Sequence, residues 1–321
     1  MATTLITGGH AGLGLEAAKR LAERKQNLVL AGRDLATIEK VAANLRTRFG
    51  IRVATVQLDL SSLASIRAAA ADMRRLIAQG EVERLDALLC NAGAQFRGPI
   101  SYSKDGYEET FAINHLGHFL LVNLLFESLT RNARVVVTAS GTHDPETMDG
   151  KLVGKALEPD AFALANEGKQ GRRPSSGGVR YSTSKLCNVL FAYELNRRLA
   201  MRGSLIASIA FDPGFIPETN LSRTVPAFAG KLLRTKFIKW LFRKLGVTMG
   251  SLSFSGEALA RLAVDPQYES AAGRYLQSED GSLVTARSSK VSYDEQRAFK
   301  LWRDSETLVQ LQPQEIPEVL R

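Results

Sequence analysis

No run of about 18 uninterrupted apolar residues occurs in this 321-residue chain, so the sequence offers no simple membrane-spanning helix. Cysteine is nearly absent. Cys90 closes an apolar, strand-like run and Cys187 falls in a helical one, so both are expected to be packed, reduced thiols rather than a disulfide or ligands. Metal chemistry is not indicated. There are no internal repeats and no low-complexity tract, which sets aside solenoids and long disordered arms. Acidic residues are the minority, 33 against 42 Lys and Arg, for a net charge of +9. Such an excess can attract acidic substrates or anionic lipid, but no nucleic-acid motif accompanies it, and solvated surface charge is the default reading. The first strand begins by Thr3, which leaves no room for a cleavable leader, so a cytoplasmic protein is expected.

What is present is ordinary globular usage, 45% hydrophobic and 23% charged, at a length that suits one large α/β domain over 1–321. The chain opens on Thr3-Thr-Leu-Ile-Thr-Gly, a short β-branched and apolar run, followed by Gly9-His-Ala-Gly-Leu-Gly14 and a helical pattern from Leu15 to Arg24. In this strand, turn and helix, Gly8, Gly12 and Gly14 permit a tight turn and close approach of an anion to free helix N–H groups. Buried strands are then expected at Asn27 to Gly32, Arg52 to Leu58, Leu85 to Cys90, Arg134 to Ala139 and Leu205 to Phe211. A helix over Ser255 to Val264 and an edge strand over Gly273 to Gln277 follow. Alternation of this kind predicts a doubly wound parallel sheet with right-handed crossovers.

The chemistry lies in Tyr181-Ser-Thr-Ser-Lys185. Residues four apart share a helix face, so a phenol stands beside an ammonium. A free phenol titrates near about 10, and a cation within a few ångströms favours the phenolate, so Lys185 is expected to bring Tyr181 towards a working range at neutral pH. Proton transfer to carbonyl or alcohol oxygen is the chemistry this pair suits.

Thr7-Gly-Gly-His-Ala-Gly-Leu-Gly14, Asn91-Ala-Gly93, Asn114, Ser140, Tyr181-x-x-x-Lys185 and Pro213-Gly214, in that order, resemble the short-chain dehydrogenase/reductase superfamily over nearly the whole chain. Asn114-His-Leu-Gly-His-Phe119, Tyr181-Ser-Thr-Ser-Lys-Leu-Cys-Asn188 and the long stretch from Ser140 to Tyr181 look most like its retinol dehydrogenase and light-dependent protochlorophyllide reductase branch. The resemblance implies a Rossmann-type fold and a nicotinamide cofactor. It implies that Ser140 aligns the substrate oxygen, that Tyr181 is general acid and base, and that Lys185 also binds the nicotinamide ribose. Asn114 would hold a relay water near the lysine, a plain interhelical hydrogen bond being the alternative. His115 and His118 receive no catalytic task. The cofactor would lie along Gly8, His10, Gly12, Leu13 and Gly14, with Asp59 and Leu60 at the adenine and Asn91, Ala92 and Gly93 beneath the nicotinamide ribose. Pro213, Gly214 and Ile216 would shape the carboxamide site, although Glu218 stands where a Thr is common and Thr219 follows one place later. Arg33 resembles the residue that selects NADP through the 2′-phosphate, while Asp34 reads as the N-cap of the next helix.

Two regions depart from the compact core. Residues 141–180 form an insertion rich in charge, Gly and Pro. Residues 215–250 read as a substrate lid, whose part from 230 to 247 has Leu233, Phe237, Trp240, Leu241 and Leu245 on one stripe and lysines elsewhere. That helix either covers the active site or rests on a membrane surface in peripheral contact. Its apolar content suggests a small hydrophobic substrate, and the resemblance implies an NADP-dependent oxidoreductase acting on a carbonyl, alcohol or activated double bond. A light-dependent protochlorophyllide reductase and a non-catalytic NADP-binding regulatory protein are the alternatives, and the oligomeric state is left open.

Overall fold

The structure, a computed structural model, describes residues 2–96, 98–216 and 244–321. Most of the expected lid, with Glu218, Thr219, Phe237 and Trp240, lies outside the described residues.

Eight strands form one sheet in the order β3-β2-β1-β4-β5-β6-β7-β8. They are β1 (Thr3–Thr7), β2 (Asn27–Gly32), β3 (Val53–Gln57), β4 (Leu85–Cys90), β5 (Leu129–Thr138), β6 (Ala207–Asp212), β7 (Tyr275–Glu279) and β8 (Ser282–Thr285). All pairings are parallel except the last, β7 with β8. The inner strands β1, β2 and β6 are buried at every position, as a sheet covered on both faces requires. The sheet therefore has the doubly wound parallel form expected, with an antiparallel edge added. β5 starts five residues before the apolar run that marks it, because Leu129 to Ala133 carry polar residues to an exposed strand end.

Helices α1 (Gly12–Glu23), α2 (Leu35–Phe49) and α9 (Leu252–Val264) cover one face over a core that includes Leu21, Leu28, Ile38 and Leu259. On the other face lie α3 (Leu63–Ala78), α5 (Gly117–Leu125) and α8 (Gly177–Met201), packed on Leu88, Phe119, Val135 and Leu190. The short α4 (Glu109–Phe111) leads through a π-helical turn, Ala112–Leu116, into α5. The last helix, α10 (Glu295–Leu308), closes over α5 and α8 through Trp302, which meets Phe119 at 5.0 Å and lies under the Arg198 guanidinium at 4.3 Å. The 141–180 insertion is more structured than its composition suggests. It contains α6 (Met148–Val153) and α7 (Ala161–Ala165), each too short for a periodic signal but each capped, by Thr147 and Asp160.

The strand order reverses between β1 and β4, so the crevice beyond the carboxyl ends of the parallel strands is where this architecture places a ligand. Thr7, Gly32, Cys90, Thr138 and Asp212 end the strands that line it.

Candidate active site

The glycine turn is built for a close neighbour. Gly8 and Gly12 have φ of 68° and 52°, in the left-handed region where a side chain strains the backbone. A Cβ on Gly14 would lie 2.5 Å from Gly8 O and 2.6 Å from Asn91 Nδ2, so any side chain there forces the turn open. Leu13 packs into the core beneath, 8% exposed. α1 then begins without a side-chain cap, whereas α2, α3, α8, α9 and α10 are capped by Asp34, Ser62, Ser176, Ser251 and Asp294. The first N–H groups of α1 thus have no side-chain acceptor, the arrangement in which a helix N-terminus can receive an anion.

At the end of β2, Arg33 is exposed and has no ion-pair partner among the described residues. Asp34 accepts from Thr37 N at 3.1 Å and so serves as the N-cap expected of it. His10 folds over Gly32, its Nδ1 buried without a hydrogen-bond partner among the described residues, and burial holds its imidazole below the usual histidine range. An unpaired imidazole nitrogen beside an unpaired guanidinium is a setting that a phosphate would satisfy. Asp59 is committed locally, to Ser61 and to Lys104 at 3.0 Å, and Leu60 is buried against Gly117.

Beyond β4, Asn91 donates from Nδ2 to Thr7 O at 2.9 Å, and the backbone N–H groups of Asn91 and Ala92 both donate to Thr7 Oγ1 at 2.9 Å. Those two donors use the lone pairs of Thr7 Oγ1, and its own proton is shared between His118 Nε2 at 3.0 Å and Leu89 O at 3.2 Å. His118 Nδ1 in turn donates to Asn114 O at 3.1 Å. Burial pushes His118 down to about 4, which keeps it neutral and fixes the direction of this chain. Thr7 and His118 therefore hold the β1 end, the Asn91–Gly93 turn and the Asn114 turn together, a role the sequence did not reveal. Asn114 itself, fully buried in the π-helical turn, donates to Ala94 O at 3.0 Å and Ser184 Oγ at 2.9 Å and accepts from Ala94 N at 2.8 Å. Its side chain thus makes the interhelical and loop bonds, leaving only the backbone carbonyl facing another group.

Ser140 follows β5 in extended conformation, its hydroxyl accepting from Thr142 N at 3.4 Å and Thr142 Oγ1 at 3.2 Å, and it lies close enough to the Tyr181 phenol to favour the phenolate. Lys185 extends from α8 to donate to Thr138 O at 2.9 Å, with Nζ 5.7 Å from the centre of the Tyr181 ring and near Gly93. Ser140, Tyr181, Lys185, Asn114 and the Asn91–Gly93 turn therefore converge from β5, α8, the π-helical turn and β4. Pro213, Gly214 and Ile216 lie at the adjacent end of β6. Gly214 has φ of 70°, and a Cβ there would stand 2.7 Å from Gly250 N.

The electrostatics differ from the sequence expectation. Burial pushes the Tyr181 phenol up to about 12, with the nearby Ser140 hydroxyl opposing and the Asp212 charge adding to the rise. The same burial pulls Lys185 down to about 8 against the attraction of Asp212. Desolvation outweighs the lysine, whose ammonium is turned to a carbonyl oxygen and not to the phenol. Tyr181 is therefore a phenol ready to donate, and the ionisable member of the pair near neutrality is Lys185.

Two loops beside the site are joined by a buried ion pair that sequence reading missed. Arg180 Nε donates to Glu108 Oε1 at 3.0 Å, with the two side chains 5% and 3% exposed. Arg180 also donates to Ser175 O and to Phe96 O, and Glu108 accepts from Thr110 Oγ1 and Phe111 N. No local signal marks a partner 72 residues away. Among the described residues no helix is long and apolar enough to cross a membrane.

A profile of the family described as short chain dehydrogenase matches residues 2–147. Rice (Oryza sativa subsp. japonica) protochlorophyllide reductase A, chloroplastic, is 33% identical over 96% of this chain and 80% of its own length. Mouse (Mus musculus) retinol dehydrogenase 13 is 34% identical over 96% of this chain and 84% of its own. A crystal structure of an uncharacterized protein from Mycobacterium paratuberculosis superposes with a TM-score of 0.69 at 29% identity, covering 97% of this chain and 94% of that one. Similarity of this extent, over a glycine turn, a Ser–Tyr–Lys cluster and a sheet of this order, shows that the chain belongs to the short-chain dehydrogenase family, a family of oxidoreductases.

Proposed function

We propose that the protein is an NADP-dependent oxidoreductase that moves a hydride between nicotinamide and the carbonyl or alcohol of a hydrophobic substrate, with Tyr181 as general acid and base. The convergence of Ser140, Tyr181 and Lys185 at the mouth of the crevice carries this reading. The uncapped start of α1, with His10 Nδ1 and Arg33 lacking partners among the described residues, fits a dinucleotide with a 2′-phosphate. Bound there, the nicotinamide supplies or accepts the hydride.

The residues of the chain do the rest. Ser140 and Tyr181 present two hydroxyls to one oxygen, which fixes the carbonyl and polarises it. In reduction Tyr181 gives its proton to that oxygen, and Lys185, charged below about 8, offsets the phenolate left behind. In oxidation the same groups run in reverse. Phe96, Ile100 and Phe215 on the flanking segments favour an apolar substrate.

NADPH consumption across a panel of aldehydes and ketones tests the reading, and tight NADPH binding without oxidation on any of them would sink it in favour of a regulatory role. Cofactor choice is tested separately. Arg33→Ala removes a charge-assisted hydrogen bond worth about 1.5–3 kcal/mol, so NADPH affinity should fall by roughly one to two decades while NADH affinity hardly changes. Equal loss for both cofactors, read by fluorescence titration, would move the selectivity away from Arg33.

A further inference from the structure

Asp212 ends β6 with its carboxylate 1% exposed, and it belongs to no motif. The parallel register that sets Ala139 N on Phe211 O at 2.7 Å carries it beside Ser140 and Gly141. A Cβ on Gly141 would lie 3.2 Å from Asp212 Oδ2, a tight contact that places the 141–143 turn directly against this carboxylate. Three donors converge on its oxygens: Gly214 N at 2.9 Å, Tyr275 Oη at 2.9 Å and Gln277 Nε2 at 2.8 Å. All three contacts present an N–H or O–H group to the carboxylate oxygens. Lys185, 3% exposed, has no carboxylate within ion-pair distance among the described residues, but its Nζ sits on Thr138 O at 2.9 Å, and Thr138 pairs in register with Phe211, the residue before Asp212, so the Asp212 carboxylate is the negative charge on the neighbouring strand end.

We propose that Asp212 is a positioning residue of this active site, its buried carboxylate serving as the fixed counter-charge to Lys185 and as the brace of the Pro213–Gly214 turn. Of the titratable groups around it, Asp149 changes charge near 6 and Lys185 near 8, and the others hold their state between those values. From the 141–143 turn, His143 receives the Ser289 N–H on Nε2 at 3.0 Å and faces Ser140 O with Nδ1 at 2.7 Å, so it is locked as one neutral tautomer. Asp144 follows it in the same turn. From α6, Asp149 is pushed up to about 6 by burial, with Asp212 adding to the rise, and accepts from Thr248 N at 3.2 Å. From β7, Tyr275 is held well above the usual phenol range by burial and by Asp212, so it stays a donor. From α8 come Tyr181 and Lys185, and His118 from α5 is neutral. Between about pH 7 and 9, then, Lys185 changes charge in a fixed setting.

The catalytic consequence rests on the oxidoreductase reading, but the test does not. Full-length protein carrying 13Cε-lysine is titrated by NMR, with Lys185→Arg assigning the resonance. In Asp212→Asn, which keeps size and an acceptor oxygen, the Lys185 midpoint should fall by about one pH unit or more. The sign separates charge from packing, because a loosened and wetter site would raise a buried lysine towards its free value. Tyr275→Phe removes one donor but leaves the charge, so Lys185 should stay within a few tenths of the parent. An unmoved or raised Lys185 in Asp212→Asn, or an equal fall in Tyr275→Phe, overturns the proposal. If Asp212→Asn does not fold, the parent decides: a Lys185 midpoint below about 7 would show that no effective counter-charge reaches it. Carbonyl-dependent NADPH oxidation is measured in parallel on the same samples. A shifted lysine with no turnover of any carbonyl discards the oxidoreductase reading and keeps this one; turnover with an unmoved lysine does the reverse.

Discussion

Tyr181→Phe is expected to lower turnover about 10²–10⁴-fold while leaving NADPH affinity within a factor of a few. The phenol is 8% exposed and its ring is enclosed, so phenylalanine keeps the packing and removes one oxygen. That oxygen lies beside Ser140 and is the proton donor of the proposed reduction, so its loss acts on the transition state more than on binding. The pH profile gives a second readout. Because the phenol is protonated up to about 12, reduction should not depend on Tyr181 ionising in the neutral range. It should instead decline as pH rises through about 8, where Lys185 loses the charge that offsets the phenolate. Steady-state rates of Tyr181→Phe equal to the parent would remove the residue from the mechanism, and a reductive rate that rises above pH 8 would reverse the role given to Lys185.

Arg180→Ala should destabilise the fold by about 3–5 kcal/mol, seen as a large drop in the urea midpoint, because it strands the Glu108 carboxylate in a buried site. Both side chains lie almost wholly out of water, so this is unlike an exposed pair, whose removal costs at most about 1 kcal/mol. Replacing both partners, Glu108→Leu with Arg180→Met, should recover a good part of the loss, since no charge is then left unpaired. Arg180 also holds Ser175 O and Phe96 O, one on each loop beside Tyr181, so the Michaelis constant should rise in both variants even where stability returns. A single variant costing under about 1 kcal/mol would place the pair among ordinary surface bridges.

These two residues are neighbours in the chain, yet only one could be read there. Tyr181 was legible because its partner Lys185 is four residues on, on the same helix face. The glycine turn and the Asp34 cap were legible for the same reason, since each is a local arrangement that residue type dictates over a few positions. The parallel core strands showed as apolar runs because both of their faces are covered. β8 did not, being a four-residue antiparallel edge with one half-buried and three exposed positions. The helices of the 141–180 insertion escaped because they span six and five residues, under two turns each.

What the sequence determined by itself was therefore the alternating α/β order, the turn that leaves α1 open to an anion, and the residue types of the Ser140, Tyr181 and Lys185 cluster. Tertiary structure decided which polar groups meet: Thr7 with His118, 111 residues apart, Glu108 with Arg180, and Asp212 with Tyr275, 63 apart. It also decided the charge states. Proximity of a lysine predicts a lowered phenol, but the depth at which both groups lie raises the phenol and lowers the lysine, and depth is set by what the whole chain stacks above them. Local spacing fixes which side chains can touch along one helix, whereas desolvation and the fields of distant charges exist only once the sheet, its crossovers and the closing helix α10 have been brought together.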